Sequence, residues 1–428
     1  MRPRFISVLS SKPWAALMAA GLLSACISTQ AQETADTAAL AERVDQQMTQ
    51  LLGRYPVPGA SIAIAYQGKL VYQRGYGMAV TESNTPVTPL TRFRIGSVSK
   101  PVTAVAVLKL FEKELPQVLD RHVFGPDGLL PDAAYPDFAG PLDRRVLKIT
   151  LRDLLQHTSG WGGSDYDPQY DLVNIAKARQ VAAPASARDV IAYVLKQRLL
   201  DAAPGTEYFY SNFAYNVLGR LVEQKSGMSY EAAVQALVFK PAAVEDAAIA
   251  GDRRIERAAN ETVYYDDPRW PAVADRDGSG ATGPESYSAL HFKSMDATAG
   301  WIATAADLVH FADATQGRGG PALLQPQALA LMKQRNPAQA ENNYGLGWVV
   351  TRSNGVEILS HSGALTTGTY AYLQSRADGW TWAVLMNRLP IPYPPEQGVG
   401  ELQAFQVAVQ RGLMNAIVNP AAVPSPAQ

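Results

Sequence analysis

Ser97-Val98-Ser99-Lys100 follows Phe93-Arg94-Ile95-Gly96 and opens an apolar run over residues 102–110. It is the one Ser-x-x-Lys in the chain. A helix starting near Ser97 puts Lys100 one turn on, along the same face. A serine hydroxyl is a poor nucleophile at neutral pH, and needs a base beside it and donors for the oxyanion formed on attack at a carbonyl. The free N–H groups of a helix start can supply such donors. A motif this short also arises by chance, as a Ser cap followed by a surface Lys. The rest of the chain must decide.

Working outward, residues 39–52 have helical spacing through Leu40, Val44, Met48 and Leu51. Residues 61–66 and 70–72 read as two strands joined by a tight Gln67-Gly68 turn. Residues 112–147 and 161–185 read as long loops, and residues 245–298 as irregular. Helical patterns cover 151–155, 187–200, 212–226, 230–238, 304–316 and 325–334. Strand patterns then take over at 347–351, 356–359, 369–374 and 381–386, before a last amphipathic helix at 401–417. Both ends are thus β plus helix, and the middle is helical. The expected class is α/β (α+β): one antiparallel sheet built from both ends of the chain, flanked by N- and C-terminal helices. A mostly helical part is inserted at about 105–340.

The chain has 428 residues, a net charge of -1 and 18 % charged residues. No basic field exists for nucleic acid. Arg2, Arg4 and Lys12 precede a short apolar stretch, residues 13–23, which reads as an export signal. A membrane span needs about 20 apolar residues. Leu23-Ser24-Ala25-Cys26 resembles a bacterial lipobox, in which cleavage after residue 25 leaves a lipidated Cys26 as a membrane anchor. Ordinary secretion with cleavage after Ala31 is the competing reading. Either way the envelope or periplasm is the expected location. Cys26 is the single cysteine, so no disulfide forms within the chain. Residues 26–38 read as a tether, 39–418 as the folded domain and 419–428 as a disordered tail.

Two further motifs carry chemistry. Tyr210-Ser211-Asn212 follows the Pro204-Gly205-Thr206 turn and precedes a helix. Tyr210 can face a cleft there, and a nearby ammonium such as Lys100 favours its phenolate. Asn212 offers a donor and an acceptor to a substrate amide, or else caps its helix. His361-Ser362-Gly363 ends a strand, where glycine permits close backbone approach. The Ala364 N–H can add a second oxyanion donor beside that of Ser97. The histidines 122, 157, 291, 310 and 361 show no metal-ligand spacing. His157 reads as ordering its own loop, and Trp161-Gly162-Gly163 either lines a pocket or packs.

In this order the three motifs resemble those of the serine beta-lactamase and penicillin-binding-protein superfamily. The likeness is strongest to its class C-type branch, which includes esterases and D-amino-acid peptidases. Leu154-Leu155-Gln156-His157-Thr158-Ser159-Gly160, Ala299-Gly300-Trp301 and Tyr344-Gly345-Leu346-Gly347-Trp348 strengthen the likeness, which covers roughly residues 40–418. It implies a beta-lactamase/transpeptidase-like fold and acyl transfer without a cofactor or metal. It further implies Ser97 as nucleophile, Lys100 with Tyr210 as base, Asn212, His361 and Gly363 at the substrate, and Ser97 and Ala364 N–H groups as oxyanion donors. The chain departs from the family in carrying His361 where penicillin-recognising members usually have Lys. A mostly neutral His pairs poorly with a substrate carboxylate. The expected function is therefore an exported esterase or D-amino-acid peptidase/amidase. A beta-lactamase or DD-carboxypeptidase is the alternative, and a non-catalytic envelope peptide-binding protein is the rival from another class.

Overall fold

The structure, a computed structural model, describes residues 36–164, 166–336, 343–365, 368–390 and 395–418. The expected leader, Cys26 and the 419–428 tail lie outside the described residues. So does most of the expected tether, whose last residues, 36–38, instead begin helix α1 (residues 36–54). The chain divides into two compact units, residues 1–53 with 408–428, and residues 54–407. In the first unit Leu40, Val44, Met48 and Leu51 are buried along one stripe of α1, and Arg43 Nε donates to the Ala416 carbonyl at 3.0 Å. Those positions follow the 3.6-residue period that marked the helix in the sequence.

The second unit is built on an antiparallel sheet. Its strands are β1 (Gly59–Tyr66), β2 (Lys69–Val80), β3 (Val349–Ser353), β4 (Val356–Leu365), β5 (Thr369–Arg376) and β6 (Trp380–Met386). Across the sheet the order is the short Thr85–Pro86 edge, then β2, β1, β6, β5, β4 and β3. The two ends of the chain meet in the β1–β6 ladder, which runs from Ala60 opposite Met386 to Tyr66 opposite Trp380. This is the single sheet expected from both termini. Residues 59–65 of β1 are all buried, as suits an inner strand read from a continuous apolar run. Gln67 and Gly68, with φ of 52° and 78°, form the two-residue turn that matches strand twist.

Strand β4 is longer than the expected 356–359. It continues through His361-Ser362-Gly363 to Leu365, because residues 358–365 pair with residues 369–376 of β5. Small and polar residues there hide the strand from any hydrophobic period.

The inserted part holds α2 (Ser99–Leu110), α3 (Leu151–Leu155), α4 (Leu172–Arg179), α5 (Ala187–Gln197), α6 (Asn212–Ser226) and α7 (Ala305–Thr315). Helix α8 (Pro395–Val418) follows the sheet. Every residue of α2 from Ser99 to Leu108 is buried, as expected of a helix apolar on all sides. It packs on α6, while α7 packs against β1 and β6. Helix α4 lies inside the 161–185 segment expected as loop. Only Leu172, Ile175 and Ala176 are buried along it, too few to show a period among its polar residues. The 112–147 segment contains four short 3-10 turns. A three-strand ladder, Phe93–Arg94 with Trp301–Ala303 and Ala248–Ile249, leads the chain into α2.

Candidate active site

The small ladder aims Ser97. Phe93 pairs with Ala303 and Arg94 with Ile302, and Ile95 N–H donates to the Trp301 carbonyl at 3.0 Å. The Arg94 guanidinium fixes this approach from below. It is buried against the rings of Tyr264 and Phe292, at 4.3 and 4.4 Å, and donates to the carbonyls of Ser286 and Gly251. Gly96 then turns the chain at a φ of 52°, where a side chain is strained. Residues Gly96–Val98 form a 3-10 turn, so Ser97 sits just before α2 rather than inside it. The first N–H groups of such a turn have no acceptor within it. Strand β4 lies against this turn. A Cβ on Gly363 would stand 2.0 Å from the Ile95 carbonyl oxygen and 2.9 Å from Ser97 N, and one on Gly96 would stand 3.1 Å from Ala364 N. Glycine at 363 is what lets the Ala364 backbone reach the neighbourhood of Ser97.

Lys100 is fully buried one turn further on. Its Nζ donates to Ser97 Oγ at 3.1 Å, to Asn212 Oδ1 at 2.8 Å and to the Thr298 carbonyl at 3.1 Å. These three acceptors use all three hydrogens of an ammonium. In the neutral amine two hydrogens can stay on Asn212 and Thr298, which leaves the lone pair for the Ser97 hydroxyl. Burial holds Lys100 down to about 7, against the opposing charge of Asp167.

Tyr210 and Asn212 are brought to the same spot by the start of α6. Ser211, not Asn212, caps that helix, its Oγ accepting from Ala214 N–H at 3.2 Å. The Asn212 amide is thereby free to turn inward. The nearby Ser97 side chain eases ionisation of the Tyr210 hydroxyl, and the Tyr210 ring lies 4.8 Å from Lys100 Nζ. Tyr210 keeps 40 % of its area open to solvent, yet the desolvation of its hydroxyl pushes it well above the usual tyrosine range. Burial thus keeps Tyr210 a neutral phenol, opposed by the Ser97 side chain.

His361 lies on β4 with both ring nitrogens in use. Nδ1 must donate to the Ser362 carbonyl at 2.7 Å, which leaves Nε2 to accept from Tyr344 hydroxyl at 2.9 Å. Burial, helped by the Lys100 charge, pushes it down to about 3. The ring is neutral and braces β4 through its bond to Tyr344.

Two groups at the site were not singled out as functional from the sequence. Asp167 Oδ2 accepts from Asn212 Nδ2 at 2.6 Å, across 45 residues of chain. Nothing in local spacing links them. His157, expected to order its own loop, accepts from Ser211 N–H at 3.0 Å and lies tilted 4.4 Å from the Tyr210 ring. It supports the Tyr210 turn, in a left-handed conformation with φ of 59°. Beside Tyr210 and Asn212 opens a cleft of about 540 Å³, mouth included, with Trp161, Tyr166, Leu199 and Phe213 among its walls. Trp161 both lines this cleft and packs edge-on to Phe213 at 4.7 Å. Gly162 lies at its rim.

The profile described as Beta-lactamase matches residues 44–404. The chain belongs to the beta-lactamase family. It is 34 % identical to Esterase EstB of Burkholderia gladioli over 59 % of this chain and 62 % of that protein. It is 26 % identical to a D-aminopeptidase of Gluconobacter oxydans over 50 % of this chain and 36 % of that protein. The matches thus span between about a third and two thirds of these relatives. Among solved structures, the D-amino acid amidase of Ochrobactrum anthropi SV3 superposes with a TM-score of 0.65 at 19 % identity, covering 90 % of this chain and 99 % of that one. That likeness shows the shared fold, in agreement with the sheet and helical insertion described above.

The depressed Lys100 has a consequence for stability. Between about pH 7 and 10 the unfolded chain keeps a lysine proton that the folded chain has lost. Stability rises with pH wherever the unfolded state binds more protons. The unfolding free energy should therefore climb across that window by up to about 1.4 kcal/mol per unit, and below it Lys100 adds no slope. Chemical unfolding at a series of pH values, with the parent beside Lys100→Met, measures it. The slope should be lost in the variant, and equal slopes would refute a neutral Lys100.

Proposed function

We propose that the chain is a serine hydrolase that cleaves an ester or amide through an acyl-enzyme on Ser97. The observation that carries this is the placement of a buried, near-neutral Lys100 amine on Ser97 Oγ, with its other hydrogens held elsewhere. Ser97 Oγ attacks the carbonyl as its proton passes to Lys100 Nζ. The developing oxyanion is met by the N–H groups of Ser97 and Ala364. The proton taken from Ser97 passes from the Lys100 ammonium by way of Tyr210 to the leaving group. Water then attacks the acyl carbonyl, Lys100 with Tyr210 takes its proton, and that proton returns to Ser97 Oγ as the acyl bond breaks.

Neutral His361 bears on the substrate. Strand β4 carries neither lysine nor arginine, and its histidine is uncharged and engaged. A cation that would pair with a carboxylate on a beta-lactam or a peptide terminus is missing from that strand. This favours esters and amides of the kind named for the esterase and D-aminopeptidase relatives over a beta-lactamase or DD-carboxypeptidase. The assembled Ser97, Lys100 and Tyr210 likewise favour turnover over a non-catalytic peptide-binding role.

Hydrolysis of p-nitrophenyl butyrate by the leaderless chain tests the reading. The parent should turn over, with kcat/KM rising as pH passes about 7 and the Lys100 amine becomes free. Ser97→Ala should lose about 10³-fold or more. Equal rates for parent and Ser97→Ala would remove Ser97 as nucleophile.

For location, we infer export and a lipid anchor at Cys26, on the basic and apolar leader and on Leu23-Ser24-Ala25-Cys26. Cys26→Ser should move the protein from the membrane fraction to the soluble one. Unchanged membrane association would refute the anchor.

A further inference from the structure

The acyl-transfer scheme leaves one anion at the site without a task. Asp167 opens the 3-10 turn Pro168–Tyr170, where its Oδ1 accepts from Gln169 N–H at 3.0 Å. Gln169 is buried in turn, its Nε2 donating to the Ser294 carbonyl at 3.3 Å. The carboxylate is thus held by its own turn, and its other oxygen takes Asn212 Nδ2 at 2.6 Å.

That contact decides which way Asn212 faces. Rotating the amide by half a turn would aim its NH2 at Lys100 Nζ, donor against donor. Burial pushes the Asp167 carboxyl up, while the hydrogen bonds from Asn212 and Gln169 and the Lys100 charge oppose that; when ionised it accepts hydrogen bonds and offers none, and so selects the orientation with Oδ1 toward Lys100. With Oδ1 there at 2.8 Å and the Thr298 carbonyl at 3.1 Å, Nζ has one direction left, and it points to Ser97 Oγ.

We propose that Asp167 is a positioning residue for Lys100, holding the amine on Ser97 through Asn212. The proposal rests on the reading of Ser97 as nucleophile. The groups facing Nζ are known from each neighbouring element. Tyr210 and Tyr215 present rings at 4.8 and 5.7 Å from the start of α6. His157, after α3, and His361, on β4, are both pushed down by burial and by the Lys100 charge, so they stand neutral. Asp296, on the segment that carries Thr298, is committed to Arg220 at 2.7 Å. Asp167 is the carboxylate among these whose charge opposes the effect of burial on Lys100.

The test compares the parent with Asp167→Asn and Asp167→Ala in two readouts, p-nitrophenyl butyrate kinetics against pH and unfolding free energy against pH. Asparagine keeps an oxygen for Asn212 but removes the charge. Its acidic limb should move down by about one unit, with the high-pH rate close to the parent's. Alanine frees the Asn212 amide, and kcat should fall by about 10- to 100-fold with KM little changed. In the stability profile, the rise that Lys100 produces should begin at lower pH in Asp167→Asn. A merely structural Asp167 would lower stability and leave both the limb and this onset in place, which would overturn the proposal. So would a parent-like kcat in Asp167→Ala. Should Ser97→Ala equal the parent in turnover, the hydrolase reading fails. The stability onset still decides whether Asp167 acts on Lys100: a shift supports it, and no shift overturns it.

Discussion

Three acceptors converge on one buried amine, and the site depends on that convergence. A primary ammonium has three hydrogens, and Lys100 meets a hydroxyl, a side-chain amide and a main-chain carbonyl. Each acceptor comes from a different part of the chain. Ser97 is one turn back, Asn212 starts α6, and Thr298 precedes the small ladder that also orients residue 95. Burial makes the ammonium expensive, and the polar contacts offset that cost enough to leave the group near neutrality. A lysine in water is a cation and no base at pH 7. A lysine in an apolar pocket without acceptors would be neutral but unaimed. The observed balance gives both a free lone pair and a fixed direction.

The fold provides that balance at its junctions. Helix α2 is buried on all sides, so the Lys100 side chain cannot escape to solvent. Ser211 caps α6 and thereby frees Asn212, its neighbour, to work inside. Strand β4 comes against the Ser97 turn only because residues 96 and 363 have no side chain. His361 and Tyr344 brace that strand from behind with a hydrogen bond of their own. Catalytic geometry of this sort tolerates errors of only a fraction of an ångström, so these supports matter as much as the reacting groups.

Much of this was legible in the sequence, for identifiable reasons. Strands β1 and β6 are buried inner strands and read as apolar runs. Helix α6 has an apolar stripe and a Gly227 stop. Ser97, Lys100, Tyr210 and Asn212 stand in short local motifs, and the structure brings all four together. What escaped depends on contacts between distant residues. The extension of β4 through small polar residues exists because β5 pairs with it. Asp167 gains its place only when its loop folds over α6. Its residue type and its local Asp-Pro context resemble any turn. How firmly Tyr210 holds its proton was not legible for the same reason. A sequence shows that a lysine is near, but the extent of desolvation belongs to the folded chain.

The central claim is that Ser97 is made nucleophilic by an uncharged Lys100. The most direct measurement is the rate at which a fluorophosphonate labels Ser97, followed by intact mass across neutral pH in the parent and in Lys100→Met. This reagent needs the nucleophile and its base but no natural substrate. The account predicts a single adduct on Ser97, formed faster as pH passes about 7, and slow, pH-flat labelling in the variant. Labelling at another residue, or the same pH profile with and without Lys100, would contradict it.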